Sequence, residues 1–200
     1  MNSPYPQLEV QGITNKKVLQ AIRGLPRELF VPENYQAFAY EDTPLQIACG
    51  QTISQPFIVA YMTEQLSLKP TDKVLEIGTG SGFQAAVLAQ LADQIFTVEI
   101  HAELSHQAQQ ILNQLDFKNV KYKIGDGKLG WPEMAPFDKI IITAVAWEIP
   151  TQLVEQLKVG GKMILPLELE NNEQYLILLK KLVNKTELKK LLSVRFVPLL

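Results

Sequence analysis

What most limits the fold of this chain is an alternation that starts at Lys73. Short runs rich in Val, Ile and Leu take turns with longer segments whose apolar residues recur at helical spacing. The runs fall at residues 73–77, 95–99, 120–124 and 139–143, and the helical segments at 82–91, 102–115 and 152–157. Strand, helix, strand in succession is the signature of a parallel sheet, because each crossover must travel back along the sheet and does so as a helix packed on its face. The sequence therefore predicts an α/β, doubly wound, Rossmann-like fold with helices on both faces. The last third breaks the rhythm. Residues 162–166, 174–182 and 191–197 read as strands with little room for helices between them, so antiparallel edge strands are expected at the C-terminal end of the sheet.

The region before Lys73 is different again. A helix is predicted over residues 13–23, with Val18, Leu19 and Ile22 on its apolar face; Pro26 stops it, and Phe30-Val31-Pro32 reads as an extended connector. Residues 41–51 read as a loop punctuated by Asp42, Pro44 and Gly50. Ser54-Gln55-Pro56 opens a second helix with Ile58, Tyr61, Met62 and Leu66 as its stripe, since proline is tolerated in a first turn whose N–H groups lack partners. With no repeat and no flexible linker, residues 1–200 read as a single domain: a helical and loop cap over 1–70 and a sheet core over 71–200.

The glycine-rich stretch Glu76-Ile77-Gly78-Thr79-Gly80-Ser81-Gly82 lies between a predicted strand and a predicted helix, where a backbone without Cβ atoms can turn sharply and approach a ligand. Glu99 ends the next strand roughly 20 residues on, the place where an acid binds ribose hydroxyls. A pyrophosphate cofactor uses Gly-x-Gly-x-x-Gly; here the third glycine comes one residue early, and Glu76 would repel a phosphate. S-adenosylmethionine has no phosphate, carries two cationic centres, and still needs an acid for its ribose, so the methyl donor fits better. Asp126-Gly127 follows the third strand at the ligand-binding edge, where Asp126 is a candidate acceptor for the adenine amino group; taken alone, it would be an Asp-Gly turn.

Composition narrows the partners. A net charge of −2 gives no global pull toward nucleic acid or an anionic membrane, and no apolar run has the length of a membrane span. The N-terminal residues lack the basic and apolar segments of a signal peptide, and the lone Cys49 has no internal disulfide partner. The expectation is a cytoplasmic protein with no nucleic-acid or membrane partner, read as a monomer. His101 and His106 are wrongly spaced for a metal pair, so no metal is expected. Lysines 180, 181, 185, 189 and 190 with Arg195 read as a solvated basic face.

Gln51-Thr52-Ile53-Ser54-Gln55-Pro56, the glycine loop, Gly125-Asp126-Gly127 with Gly130-Trp131, and Arg195-Phe196-Val197-Pro198-Leu199 together resemble the protein-L-isoaspartate (D-aspartate) O-methyltransferase family, in order from Arg27 to the C-terminus. The resemblance implies transfer of a methyl group from S-adenosyl-L-methionine to the carboxylate of isoaspartyl or D-aspartyl residues in damaged proteins, so the partners would be isoaspartyl peptides. It also implies Thr52, Ile53, Glu76, Gly78, Gly80, Gly82, Glu99, Asp126 and Gly127 at the cofactor. Ser54 would be the catalytic acceptor contact, with backbone near Val197 pairing with the substrate peptide. Ser54 is also the residue type of a helix N-cap, and both roles stay open. Two departures stand out. Ala48 replaces a glycine usual in the family and would stiffen a loop over the cofactor. Trp147 stands where small residues and proline are usual, and is expected to pack on the outside of the following helix. Two other readings compete. One is a methyltransferase for a small molecule or nucleic acid, although the Asn/Asp-Pro-Pro-aromatic motif is absent after the fourth strand, where Thr143-Ala144-Val145-Ala146 stands. The other is a specialised or non-catalytic relative serving one dedicated peptide.

Overall fold

The computed structural model describes residues 4–200; Met1 to Ser3, part of the stretch read for a leader, lie outside the described residues. Seven strands build the main sheet: β1 (Lys73–Ile77), β2 (Gln94–Glu99), β3 (Val120–Ile124), β4 (Phe137–Ile142), β5 (Leu157–Glu168), β6 (Gln174–Lys181) and β7 (Thr186–Val194). Their spatial order is β3-β2-β1-β4-β5-β6-β7. The first five run parallel, while β6 and β7 are antiparallel additions. The expected architecture is thus present, although β7 starts and ends earlier than the predicted 191–197. The strand order reverses between β1 and β4, and the crevice beyond their carboxyl ends is where doubly wound sheets bind ligands.

Among the described residues six α-helices accompany the sheet: α1 (Gln7–Val10), α2 (Lys16–Arg23), α3 (Pro56–Leu66), α4 (Phe83–Ala89), α5 (Ala102–Gln114) and α6 (Thr151–Gln156). Alternation along the strands sorts side chains to two apolar clusters. Val74, Ile95, Ile141 and Ile164 join residues of α2, α3, α4 and α5 on one face. Leu75, Ile77, Phe96, Ile140 and Ile142 join Leu153 of α6 on the other. The second face is thinly covered. Between β3 and β4 the chain makes two short 3-10 turns, Gly127–Leu129 and Pro132–Met134, in place of a full helix. Gln156 of α6 ties these turns down, donating to the Leu129 carbonyl at 2.9 Å and accepting from the Trp131 N–H at 2.8 Å.

The N-terminal region departs most from expectation. The connector after Pro26 is two 3-10 turns, Arg27–Phe30 and Glu33–Phe38, with only Val31 and Pro32 extended between them. The predicted loop over 41–51 contains the strand Leu45–Gln46, which pairs antiparallel with Thr52–Ile53 in a small hairpin. In α3 the buried stripe is Val59, Ala60, Met62, Thr63 and Leu66, rotated from the predicted one, because the helix packs between α2 and β5 and leaves Ile58 and Tyr61 half-buried.

Candidate active site

Two hollows meet over the carboxyl ends of β1 and β4. One is lined by Gly78, Gly80, Glu99, Ile100, Gly127 and the tail Val197–Leu200, among others. The other holds Ile53, Ser54, Ile58 and Phe196. Thr52, Gly78, Gly80 and Thr143 border both, so the two hollows adjoin.

The glycine loop is shaped from both sides. Gly80 has a positive φ of 51°, and its N–H donates to Glu99 Oε2 at 2.8 Å. At Gly78 a Cβ would lie 2.4 Å from Thr143 Oγ1, whose hydroxyl donates to the carbonyls of Ile77 at 3.0 Å and Gly78 at 2.7 Å. Gly82 lines neither hollow; a Cβ there would meet Ala108 at 2.9 Å, so this glycine serves the packing of α4 on α5.

Glu99 is 5% exposed at the end of β2, and its other oxygen accepts from the His101 N–H at 3.0 Å. Two backbone donors leave half of the roughly four lone-pair sites of a carboxylate open toward the cleft. The side chain of Ile100, half-exposed beside it, offers an apolar face for a flat ring. Asp126 is exposed and its Oδ1 accepts from Lys128 N at 2.8 Å, capping the Gly127–Leu129 turn. The turn role is therefore filled, and the second oxygen has no partner among the described residues. Gly127 packs so closely on Ile77 that a Cβ would lie 2.4 Å from it.

Glu76 does not reach either hollow. It is 0% exposed beneath the glycine loop, in register with Thr97 and, beyond it, Tyr122. Burial raises its pKa to about 8, which the neighbouring Glu99 charge reinforces and a hydrogen bond from Thr97 at 2.5 Å opposes. The expected negative charge facing a cationic ligand is thus corrected: desolvation keeps this carboxyl protonated at neutral pH. Thr97 continues to Thr79 Oγ1 at 2.6 Å, so Glu76 meets the loop through two hydroxyls.

Ser54 sits in the second hollow, and its hydroxyl makes no hydrogen bond among the described residues. It is not the N-cap of α3. Gln55 occupies that position, and the first free N–H, that of Phe57, is taken at 2.9 Å by Asp42 from the loop before the hairpin. Ile53 belongs to the Ser54 hollow and not to the Glu99 cleft, whereas Thr52 stands on the border. The Val197 carbonyl accepts from Val145 N at 2.8 Å, leaving only the Val197 N–H without a partner. Trp147 is 62% exposed in a groove with Lys128, Glu148 and, from the start of α6, Thr151 and Gln152. The loop at Ala48 does lie over the glycine loop, with Ile47 3.8 Å from the position of a Gly80 Cβ, but the left-handed residues there are Cys49 and Gly50, not Ala48.

Sequence reasoning missed Thr143, Gln51, His101 and Phe196 as lining residues, and Asp42 and Arg27 as their supports. For Thr143 the signal was available: a polar residue at the carboxyl end of a central strand.

The chain is similar in sequence and in fold to known proteins. The family model for protein-L-isoaspartate(D-aspartate) O-methyltransferase matches residues 5–200. The protein-L-isoaspartate O-methyltransferase of Opitutus terrae is 50% identical over 96% of this chain and 82% of its own length. That of Ruegeria pomeroyi is 46% identical over 100% of this chain and 97% of its own. A solved protein-L-isoaspartate O-methyltransferase superposes with TM-score 0.88 at 31% identity, covering 96% of this chain, which spans 63% of that one. A structure from Plasmodium falciparum described as a putative enzyme of this type, in complex with S-adenosyl-L-homocysteine, gives TM-score 0.86 at 26% identity, covering 100% and 99% of the two chains. This chain therefore belongs to the protein-L-isoaspartate (D-aspartate) O-methyltransferase family of enzymes.

Proposed function

We propose that this enzyme methylates the carboxylate of isoaspartyl residues in damaged proteins, and that Ser54 orients that carboxylate. The observation that carries the reading is the lining of the Ser54 hollow. Thr52, Ser54, Thr79, Ser81, Gln84 and Thr143 supply its polar groups, and Ile58, Met62 and Phe196 its apolar walls. No lining residue is an acid, a histidine, a lysine or a cysteine. An amine or hydroxyl acceptor would need a base there. A carboxylate, with a reference pKa near ~4, arrives already ionised.

The neighbouring cleft fits S-adenosyl-L-methionine. Glu99 would accept from the ribose hydroxyls, Ile100 and Gly127 would flank the adenine, Gly78 and Gly80 would let the backbone come close, and Asp126, which lines neither hollow, would accept from the adenine amino group from the adjoining turn. When bound, the cofactor supplies an electrophilic methyl group on a sulfonium. The chain's contribution is alignment: Ser54 donates a hydrogen bond to one carboxylate oxygen, Thr52 and Thr143 hold the border between the hollows, and apolar walls keep competing water away. The Val197 N–H is the remaining backbone donor for an extended peptide. Among the described residues no helix is long and apolar enough to cross a membrane. The unpaired Cys49 and the modest charge are in keeping with a monomer of the cytoplasm that has no nucleic-acid partner.

The test is methyl transfer from labelled S-adenosylmethionine to a synthetic isoaspartyl peptide, with the normal aspartyl peptide as control. Equal transfer to both, or to neither, would refute the acceptor assignment.

A further inference from the structure

We infer that Arg27 and Asp42 are positioning residues that brace Ser54 from both sides and so aim its hydroxyl at the acceptor carboxylate. The inference rests on the acceptor role proposed for Ser54.

Arg27 is 0% exposed, yet no carboxylate forms an ion pair with it among the described residues. Its guanidinium instead gathers three backbone carbonyls: Nη1 donates to Ala39 at 2.5 Å, and Nη2 donates to Thr43 at 3.2 Å and to Ser54 at 3.1 Å. Its Nε has no hydrogen-bond partner among the described residues. Taking a charge out of water without a paired counter-ion is costly, and an apolar side chain of like volume would serve simple packing better. What a guanidinium offers in return is a rigid fork that holds several acceptors at fixed angles. The acceptors it holds come from two separate stretches of chain, the loop with Ala39 and Thr43 and the segment before α3, and one of them is the carbonyl of Ser54 itself. The same guanidinium lies 5.7 Å from the ring centroid of Phe83, the first residue of α4 after the glycine loop. Arg27 therefore ties the backbone of the acceptor residue to the element that carries the cofactor loop.

Asp42 works from the other side. Its Oδ1 accepts from Phe57 N at 2.9 Å, and its Oδ2 accepts from Gln55 Nε2 at 2.8 Å and from Gln11 Nε2 at 2.8 Å. Ser54 is thus followed by a residue whose side chain is fixed and a helix start that is capped from outside. With its carbonyl also held, its hydroxyl is left without a partner among the described residues.

The experiment is a double-mutant cycle on the full chain, using Arg27→Lys and Asp42→Ala, each alone and combined with Ser54→Ala. Lysine keeps the charge and loses the fork. Each single variant should raise KM for the isoaspartyl peptide about 10-fold or more, the size of a misplaced hydrogen bond to a charged group. The calorimetric Kd for S-adenosylhomocysteine should stay within about 2-fold. In the Ser54→Ala background the same changes should alter KM less than about 3-fold, because the group they aim is gone. Additive effects in the two backgrounds, or a cofactor Kd that weakens in step with KM, would overturn the inference, because both are what a merely structural role produces. If Ser54→Ala alone leaves kcat/KM for the peptide unchanged, the acceptor reading falls and the brace falls with it, a result visible before the cycle is closed. Asp42 is half-exposed, so its variant keeps the inference open to refutation should Arg27→Lys fail to fold.

Discussion

Replacing Ser54 by alanine removes one hydroxyl from the acceptor hollow and, by this structure, little else. The hydroxyl has no intramolecular partner, and the free N–H at the start of α3 is capped by Asp42, so no capping energy is lost with it. The variant should unfold within about 0.5 kcal/mol of the parent, as substitutions away from structural features do. Its effect should appear in turnover. A hydrogen bond to a charged group contributes roughly 1.5–3 kcal/mol, which corresponds to about a ten- to hundred-fold loss of kcat/KM for an isoaspartyl peptide. Calorimetric affinity for S-adenosylhomocysteine should not move, since Ser54 lies outside the Glu99 cleft. The pH profile supplies an independent readout. With no titratable residue lining the hollow, the chemical step should stay flat from weakly acidic to neutral pH, then fall only as the substrate carboxylate protonates near ~4. A profile rising steeply through neutrality and flattened by mutating His101, which lines the neighbouring cleft, would show a base at work and refute the reasoning.

Three further outcomes are expected. Glu99→Ala should weaken cofactor binding about 10-fold or more, because it removes the ribose acceptor and also frees the Gly80 N–H; unchanged calorimetric affinity in a folded variant would sink that assignment. Folding holds the Glu76 carboxyl protonated up to about 8, against 4.5 in the reference state, so its contribution to stability is complete below pH 4.5 and is lost as pH rises toward 8. Glu76→Gln should remove this loss, and its melting temperature relative to the parent should climb between pH 4.5 and 8; parallel melting curves over that range would contradict it. Trp147→Ala should cost about 1 kcal/mol or less, given an indole that is 62% exposed, and a larger drop in thermal unfolding would mean that its packing has been underestimated.

The sheet was legible because its signals are local. Strands β1 and β3 coincide with runs that a reader can mark from apolar spacing alone, and both antiparallel additions follow from the lack of helical segments after Pro166. Errors arose where tertiary packing decides. The stripe of α3 turned because the helix is gripped by α2 and β5, so Thr63 is buried while Tyr61 stays partly exposed. The crossover between β3 and β4, by contrast, carries no α-helix, in line with the loop that the sequence predicts there, and Gln156 of the short α6 ties its turns down. Glu76 was misjudged for the same reason: its place before the glycines is visible in the sequence, but its complete burial beneath them is not.

The acceptor site shows why such misreadings gather at functional positions. Ser54, Glu99 and the glycines stand in contiguous motifs and could be named at once. The groups that make Ser54 usable cannot be found from its neighbours in sequence: Asp42 caps α3 from 15 residues before Phe57, and Arg27 reaches the Ser54 carbonyl across 27 residues. A serine two residues before a helix would ordinarily be read as contributing its hydroxyl to the capping of that helix. Because a distant aspartate has taken the cap, the serine hydroxyl is released into a hollow where none of the described residues hydrogen-bonds to it. Availability of that donor is thus a property of the loop between Ala39 and Thr43 as much as of the motif, and damage to the loop should be felt first at the acceptor and only later in the cofactor cleft.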